Sequence, residues 1–199
     1  MEDLATQASV LIGSGRLAEA ISFLRQAIEE SLTAGEIAEA AYGCNLLGSC
    51  LAAAGRDDEA LGQYLRAEGL EPGNSFLKMQ TAAFLLDFMN RPQAALEKLA
   101  PELDNFREPS SDHAVKGLLG AIYLELGHIA EAEDMLRRMT QQIKALHPRG
   151  LDLRLVTRLI ERKLLRNLCR EYLDLVISRA KTFEELSIQR DAQALLSAI

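Results

Sequence analysis

The stretch that decides the fold runs from Leu47 to Pro72 and reads LGSCLAAAGRDDEALGQYLRAEGLEP. Two small residues, Gly48 and Ala60, fall where a pair of helices would cross, and they allow the helix backbones to approach closely. Gly55 lies between them and supplies the backbone freedom needed to end the first helix. Pro72 lacks an N–H group and therefore ends the second helix. This segment predicts two antiparallel helices joined by a tight turn.

The same pattern, a turn residue followed five positions later by a small residue, recurs along the chain at Gly15/Ala20, Gly55/Ala60, Asn90/Ala95 and Gly127/Ala132. Aligned on these pairs, the units start near residues 1, 41, 76 and 113, so their spacings are 40, 35 and 37 residues. Self-similarity at such a period is typical of repeat proteins. In the third unit, an asparagine takes the place of the turn glycine.

In residue type and spacing these units resemble the tetratricopeptide repeat, most closely in the second and fourth units. The resemblance covers residues 1–148, as units 1–40, 41–75, 76–112 and 113–148. It implies an all-α, right-handed superhelical α-solenoid of antiparallel helix pairs, in which the first helix of each pair lines a concave groove. We expect residues 149–199 to form a degenerate repeat and a capping helix in the same domain, because the last repeat of a solenoid needs a cap.

The resemblance also predicts which residues face the groove. None of the aligned groove positions is Lys or Arg, which argues against the clamp with which one subgroup of the family binds a C-terminal carboxylate. The predicted groove residues are Tyr42, Asn45, Ser49, Leu77, Gln80, Phe84, Phe88 and Leu124. Such a surface suits the apolar side of a partner helix or an extended segment. The alternative is that Phe84 and Phe88, four residues apart, pack inside the superhelix.

Composition favours helices and restricts the function. The 199 residues are 48% hydrophobic and only 5% aromatic, with no Trp. The net charge of -7 argues against a general nucleic-acid binder. No apolar run reaches the roughly 18 residues of a membrane span, and MEDLATQ places acid where a signal peptide requires base. We therefore expect a cytoplasmic protein without membrane insertion.

Residue types that carry chemistry are few and scattered. The three histidines, His113, His128 and His147, each lie near a predicted helix end and have no neighbour at metal-ligand spacing. Cys44 and Cys50 are about 9 Å apart on one predicted helix, too far for a disulfide, and with Cys169 they are expected to be reduced structural thiols. The sequence predicts no catalytic, cofactor-binding or metal-binding residue.

One charge pattern stands out near the C-terminus, where Arg154, Arg158, Arg162 and Arg166 recur every four residues. This spacing predicts a stripe on one face of a single helix. Residues 149–199 have a net charge of +3, whereas residues 1–148 have a net charge of -10. Three interpretations remain open: a solvated helix face, a second contact for an acidic partner or another copy of the chain, and a nucleic-acid contact.

Together these patterns predict a non-enzymatic module for protein–protein interaction, an adaptor or scaffold that binds a partner helix or peptide in its groove. Two alternatives are a chaperone for a secreted or assembling protein and a scaffold that assembles with copies of itself. No cofactor is expected under any of the three.

Overall fold

The computed structural model describes residues 4–199, except for the side chain of Ala5. Among these residues it contains eleven α-helices and no strand. The helices are α1 (Leu4–Gly13), α2 (Leu17–Ala34), α3 (Ile37–Ala53), α4 (Asp57–Leu70), α5 (Ser75–Asp87), α6 (Pro92–Leu99), α7 (Pro109–Glu125), α8 (Ile129–Gln142), α9 (Arg154–Glu161), α10 (Arg166–Thr182) and α11 (Leu186–Ser197). Short 3₁₀ helices occupy Ala100–Asn105, Ile143–Ala145 and Pro148–Gly150. The prediction of an all-α protein of helix pairs is confirmed.

The chain divides into two compact units, residues 1–91 and residues 92–199. The first unit contains α1 to α5, and the second contains α6 to α11. The boundary falls inside the predicted third repeat, 76–112, so its two helices α5 and α6 belong to different units. The expected arrangement of four helix pairs and a C-terminal segment within one domain stays a prediction.

In the first unit each helix packs against its neighbour in sequence, and α3 packs most extensively, against both α2 and α4. One continuous core joins all five helices. It is built from small and branched apolar residues such as Ala20, Leu24 and Leu51, each at most 1% exposed. Alternation of small and large side chains lets the helices pack closely around these residues.

The close approach of α3 and α4 depends on Gly48. A Cβ atom at this position would lie 3.1 Å from the ring of Tyr64 on α4, which is tighter than ordinary van der Waals contact. Ala60 on α4 is completely buried. The role predicted for these two small residues is confirmed, because the Tyr64 ring occupies the space that a side chain at position 48 would need.

The turns between paired helices adopt the left-handed backbone conformation that the sequence predicted. Gly55 has φ 71°, and Asn90, which replaces the glycine in the third unit, has φ 50°. Asparagine is one of the few residues other than glycine that tolerate this region. The alignment of Asn90 with the turn glycines is therefore confirmed.

In the second unit α7 packs against α6, α8 and α9, and α10 packs against α8, α9 and α11. Its core is centred on fully buried residues that include Leu118, Ile122, Leu136 and Tyr172. The last helix, α11, lies on α10 and exposes Leu186 to 72%. Helices α9 and α10 occupy the segment expected to form a degenerate repeat, and α11 occupies the expected cap.

Helix starts differ from the sequence alignment by a few residues. The first helices of the second and fourth pairs begin at Ile37 and Pro109, four residues before the predicted starts. The first turn of α7 follows the N-cap residue Glu108. Pro109 at the first helical position explains the earlier start, because its fixed φ suits a helix N-terminus.

Candidate partner-binding surface

Three of the predicted groove residues share one face of α3. Tyr42, Asn45 and Ser49 are spaced by three and four residues, which places them one above another on a helix. Tyr42 is 40% exposed and Ser49 is also exposed, whereas Asn45 is only 6% exposed. Two hydroxyl groups therefore border a buried amide on this face.

A chain of contacts joins this face of α3 to α5. The hydroxyl groups of Ser49 and Tyr64 are hydrogen-bonded at 3.0 Å. The Tyr64 ring lies 5.0 Å from the ring of Phe84, and Phe84 stacks on Phe88 with centroids 5.3 Å apart. The Tyr64 and Phe84 rings are tilted by 39° and the Phe84 and Phe88 rings are stacked, both at separations typical of favourable aromatic pairs. Ser49 and Phe88 thus lie at the two ends of one packed row of side chains.

The two predicted aromatic anchors of α5 have different environments. Phe84 is 2% exposed and belongs to the core of the first unit, whereas Phe88 is 58% exposed. The alternative interpretation, packing inside the fold, therefore applies to Phe84. Of these two rings, Phe88 is the one whose surface a partner could contact directly.

The remaining predicted groove residues are less accessible. Leu77 is 3% exposed and packs in the core of the first unit, and Gln80 on the same helix is half-buried. Leu124 belongs to the second unit, where it is 1% exposed. Direct contact with a partner at this face is thus restricted to Tyr42, Ser49, Phe88 and the edge of Gln80.

Asn45 carries an unusual polar group. Among the described residues, its side-chain Oδ1 is buried and has no hydrogen-bond partner, although its backbone carbonyl accepts a hydrogen bond from Ser49 at 3.2 Å. A buried acceptor without a partner is costly and calls for an explanation.

Four arginines of the first unit form ion pairs on or beside α2 and α4. Arg16 pairs with Glu19, and Arg56 pairs with Glu59 at 2.7 Å. Arginines 25 and 66 bridge α2 and α4 through Glu59 and Glu29, at 3.4 Å and 3.0 Å. All of these residues lie on α2 and α4 or immediately before them. The four arginines are therefore paired with three carboxylates of α2 and α4, since Arg25 and Arg56 share Glu59.

The predicted arginine stripe does not lie on a single helix. Helix α9 ends at Glu161, α10 begins at Arg166, and the connection contains Lys163 and Leu165 with φ 59° and 47°. The prediction of one continuous helix face is wrong, because the chain turns within the stripe. Arg154 and Arg158 lie on α9, Arg162 caps it, and Arg166 begins the next helix.

Two of these arginines have a structural role in the second unit. Arg158 and Arg162 each donate to the Glu125 carboxylate at 2.5 Å, and Arg162 also donates to the Leu124 carbonyl at 2.9 Å. Burial works against ionisation of Glu125, but the hydrogen bonds from both arginines hold its pKa below the ordinary value. These contacts fix the C-terminal end of α7 to α9.

A buried polar pair in the second unit was not predicted from the sequence. His113 and Tyr172 are both completely buried, and Nε2 of His113 lies 2.9 Å from the Tyr172 hydroxyl. That hydroxyl donates to the Asp152 carbonyl at 2.5 Å, so its oxygen accepts the proton of Nε2. Burial lowers the pKa of His113 to about 4. The helical spacing of His113 could have indicated its burial, because it lies on the same face of α7 as Gly117, Gly120 and Leu124, which are buried.

Other chemistry-bearing residues form no site in the described part of the chain. No group of three His, Cys, Asp or Glu side chains there is placed to hold a metal ion. Cys44, Cys50 and Cys169 are free and buried, and burial raises the pKa of the Cys169 thiol to about 11. His128 lies exposed at the start of α8, where its ring stacks on Tyr123.

Within residues 4–199, no helix is both long and apolar enough to cross a membrane.

These observations define an all-helical repeat protein whose units are antiparallel helix pairs. Residues 6–75 match the family model of the tetratricopeptide repeat. Residues 6–75, in the first unit, are therefore identified as tetratricopeptide repeats, as the spacing of their small residues predicted. No curated protein sequence matches the chain.

Solved structures extend the similarity of fold beyond the matched residues. PilF of Pseudomonas aeruginosa is 18% identical with a TM-score of 0.66, over 97% of this chain and 88% of that one. A MamA double mutant is 16% identical with a TM-score of 0.63, over 92% and 95%. YrrB, described as a TPR protein with an unusual peptide-binding site, is 22% identical with a TM-score of 0.57, over 96% and 87%. At these identities the similarity concerns the fold, and tetratricopeptide repeats typically act in protein–protein interaction.

Proposed function

We propose that this protein is an adaptor or scaffold that binds a helical or extended segment of another protein on the Tyr42–Phe88 face, defined as Tyr42, Asn45, Ser49, Gln80 and Phe88. The observation that carries this proposal is the exposed ring of Phe88, which stacks on the buried ring of Phe84. A large aromatic side chain held rigidly at the surface is the usual anchor of an interface. The peptide-binding site for which YrrB is described supports the same use of this fold.

The rigidity of this face favours binding. Phe88 is backed by Phe84 and Tyr64, and Ser49 is fixed by its hydrogen bond to Tyr64. A partner would therefore meet side chains that have already lost their conformational freedom, which lowers the entropic cost of association. The apolar anchors would supply affinity, and the exposed Ser49 hydroxyl would offer a polar contact to the partner.

We also propose a second contact with the partner near the C-terminal arginines, but with fewer residues than the sequence predicted. Arg158 and Arg162 are engaged by Glu125, and Arg154 has further interactions within the unit. Arg166 and the adjacent Lys163 are exposed. If an acidic partner segment also docks on the second unit, these two cations are the contacts that we expect it to use.

The test compares variants in affinity capture from the native source. Tyr42→Ala/Phe88→Ala should lose the specific partner, whereas Leu65→Ala, which removes a 47% exposed apolar side chain from α4, should retain it. Circular dichroism and thermal unfolding would establish that both variants fold. Retention of the same partners by the double variant would refute this face as the binding surface.

The same experiment distinguishes the two alternatives. A captured client that is insoluble without this protein would indicate a chaperone. Capture of the chain by itself, with a mass that rises with concentration and falls with salt, would indicate self-assembly through opposed charges.

A further inference from the structure

Among the described residues of the second unit, two large apolar side chains are exposed, and both lie at the turn between α10 and α11. Phe183 follows the last residue of α10 and is 41% exposed, and Leu186 is the first residue of α11 and is 72% exposed. Three residues of chain keep their Cα atoms within about 11 Å of each other. Single exposed apolar residues are normal at a protein surface, whereas neighbouring ones mark a surface that a partner can cover.

The Phe183 ring is held in place by its neighbours. The Arg179 guanidinium lies over it, 4.6 Å from the ring centroid, and the His147 ring meets it edge to face, with the centroids 4.9 Å apart. Arg179 is itself fixed, because its Nε donates to the Leu146 carbonyl at 2.8 Å. An aromatic side chain held in this way loses little entropy when a partner covers it, which is a property of interface anchors.

A shallow groove follows Leu186 along the outer face of α11. An open depression of about 340 Å³ is lined by four residues at helical spacing: Leu186, Gln189, Arg190 and Gln193. The opposite face of α11, which contains the buried Ala192, packs on α10. The two glutamine amides can donate to and accept from the backbone of a bound segment. The groove therefore combines an apolar side chain with polar groups suited to a polypeptide.

The charge at this end of the second unit is positive, although the whole chain has a net charge of -7. Residues 144–149 contact the turn, since the His147 ring meets Phe183 and Arg149 pairs with Glu185 at 2.7 Å. Together with residues 179–191 they have a net charge of +2, from five basic and three acidic residues: Lys144, Arg149, Arg179, Lys181 and Arg190 against Glu184, Glu185 and Asp191. Although paired, the Arg149 side chain is 79% exposed. A bound segment therefore meets more cations than carboxylates beside the two apolar side chains.

Going beyond the proposed function, we infer that this surface binds an acidic amphipathic segment of a partner protein. We name it the Phe183–Leu186 surface, and it consists of Arg149, Phe183, Leu186, Gln189, Arg190 and Gln193. Apolar side chains of the segment would cover Phe183 and Leu186. Its carboxylates would accept charge-assisted hydrogen bonds from the guanidinium groups of Arg149 and Arg190. Apolar anchors beside the cations favour a polypeptide over a nucleic acid, whose phosphates dominate its contacts.

The probe is a synthetic amphipathic peptide with a leucine and phenylalanine face and Glu at every polar position, and fluorescence anisotropy measures its affinity for the full chain. The net charge of -7 repels this Glu peptide, so its binding requires a local site. We expect saturable binding of the Glu peptide and weaker binding of a single-stranded DNA of equal charge. No binding of the Glu peptide, or tighter binding of the DNA, would overturn the inference.

Three variants of the Phe183–Leu186 surface test which residues bind the peptide. Phe183→Ala/Leu186→Ala should lower the affinity for the Glu peptide at least about tenfold, because it removes both apolar anchors. Leu186→Ala alone changes a side chain that is 72% exposed, and it should lower the affinity several-fold without an effect on folding. Arg149→Gln/Arg190→Gln should also lower it several-fold. Thermal unfolding establishes that each variant folds, and an affinity that none of the three lowers would overturn the inference.

A matched control separates this surface from general attraction to basic residues. Arg107→Gln/Arg137→Gln makes the same change of charge as Arg149→Gln/Arg190→Gln, at exposed positions elsewhere in the second unit. It should leave the affinity for the Glu peptide unchanged. An equal loss of affinity in the two charge variants would overturn the inference, since it would indicate non-specific attraction.

The first-unit face is distinguished by its own variant. Loss of Glu-peptide binding in Tyr42→Ala/Phe88→Ala, together with its retention in Phe183→Ala/Leu186→Ala, would assign the peptide to the first unit and overturn the inference. Partner capture from the native source tests the proposed function separately. Failure of one proposal is therefore distinguishable from failure of the other.

Discussion

Phe84 and Phe88 stack with their ring centroids 5.3 Å apart, yet Phe84 is 2% exposed and Phe88 is 58% exposed. One ring therefore belongs to the core and the other to the surface, although both are phenylalanines one helical turn apart. The stacked pair connects the packing of the first unit to the surface that we propose binds a partner.

Replacement of the two phenylalanines should separate stability from binding. Phe84→Ala removes a buried ring between Tyr64 and Phe88, and it should lower the free energy of unfolding by about 3 to 5 kcal/mol. Phe88→Ala should lower it by less than about 1 kcal/mol and still abolish partner capture. Urea unfolding of both variants measures the difference. A large loss of stability in Phe88→Ala would show that its ring is part of the core.

The buried His113 should make stability depend on pH. Its pKa is about 4 in the folded protein, below the ordinary value of about 6.5, so the unfolded chain takes up a proton first as the pH falls. The free energy of unfolding should therefore decrease between about pH 6.5 and pH 4, by a total of about 3 kcal/mol. Above about pH 6.5 this group should contribute no pH dependence.

Urea unfolding from pH 7 to pH 4.5 measures this effect. Other acidic groups also titrate in that range, so the informative quantity is the difference between the protein and His113→Gln. His128→Gln changes an exposed histidine at a helix start and serves as the control. An identical pH dependence in the protein and in His113→Gln would contradict the assignment.

Two glycines in the second helix pair should respond in opposite directions to alanine. Gly48→Ala places a Cβ atom 3.1 Å from the Tyr64 ring, and it should destabilise the protein by about 1 to 3 kcal/mol. Gly62→Ala lies inside α4, where nothing lies within 4 Å of the added atom, and it should stabilise by about 0.5 to 1 kcal/mol. Thermal unfolding of the two variants measures both changes of stability. Stabilisation by Gly48→Ala would refute the close approach of α3 and α4.

The ion cluster around Glu125 should stabilise the protein more than an exposed ion pair does. Glu125 is 19% exposed and receives both Arg158 and Arg162, so Glu125→Gln should cost about 1 to 2 kcal/mol. Glu133→Gln removes the pairing with Arg137, whose side chain is 59% exposed, and should change stability by less than about 0.5 kcal/mol. Equal losses of stability for Glu125→Gln and Glu133→Gln in urea unfolding at neutral pH would show that the cluster does not stabilise the packing of α9.

Short-range sequence patterns determine much of this fold. Gly48 and Ala60 predicted the crossing of α3 and α4 because few residues allow two helices to approach so closely. Gly55 and Asn90 predicted the turns because few residues adopt a positive φ without strain. These constraints act within a few residues along the chain, and so the sequence alone was enough to recognise them.

Features that depend on distant contacts were not predicted. The turn at Lys163 and Leu165 contains neither Gly nor Pro, and it forms where Arg162 is held by Glu125 and the Leu124 carbonyl. The burial of His113 depends on Tyr172, 59 residues further along the chain. The different exposures of Phe84 and Phe88 likewise follow from the position of Tyr64 on another helix. Helical spacing alone could not distinguish the two rings.

The most direct test of the partner-binding face is site-specific photocrosslinking in an extract of the native source. A photoreactive phenylalanine analogue would replace Phe88 in one variant and Leu65 on α4 in the other, because the two side chains are 58% and 47% exposed. The account predicts a discrete crosslinked partner from position 88, displaced by an excess of unlabelled protein, and none from position 65. The same crosslinks from both positions, or a specific crosslink from position 65 alone, would contradict it.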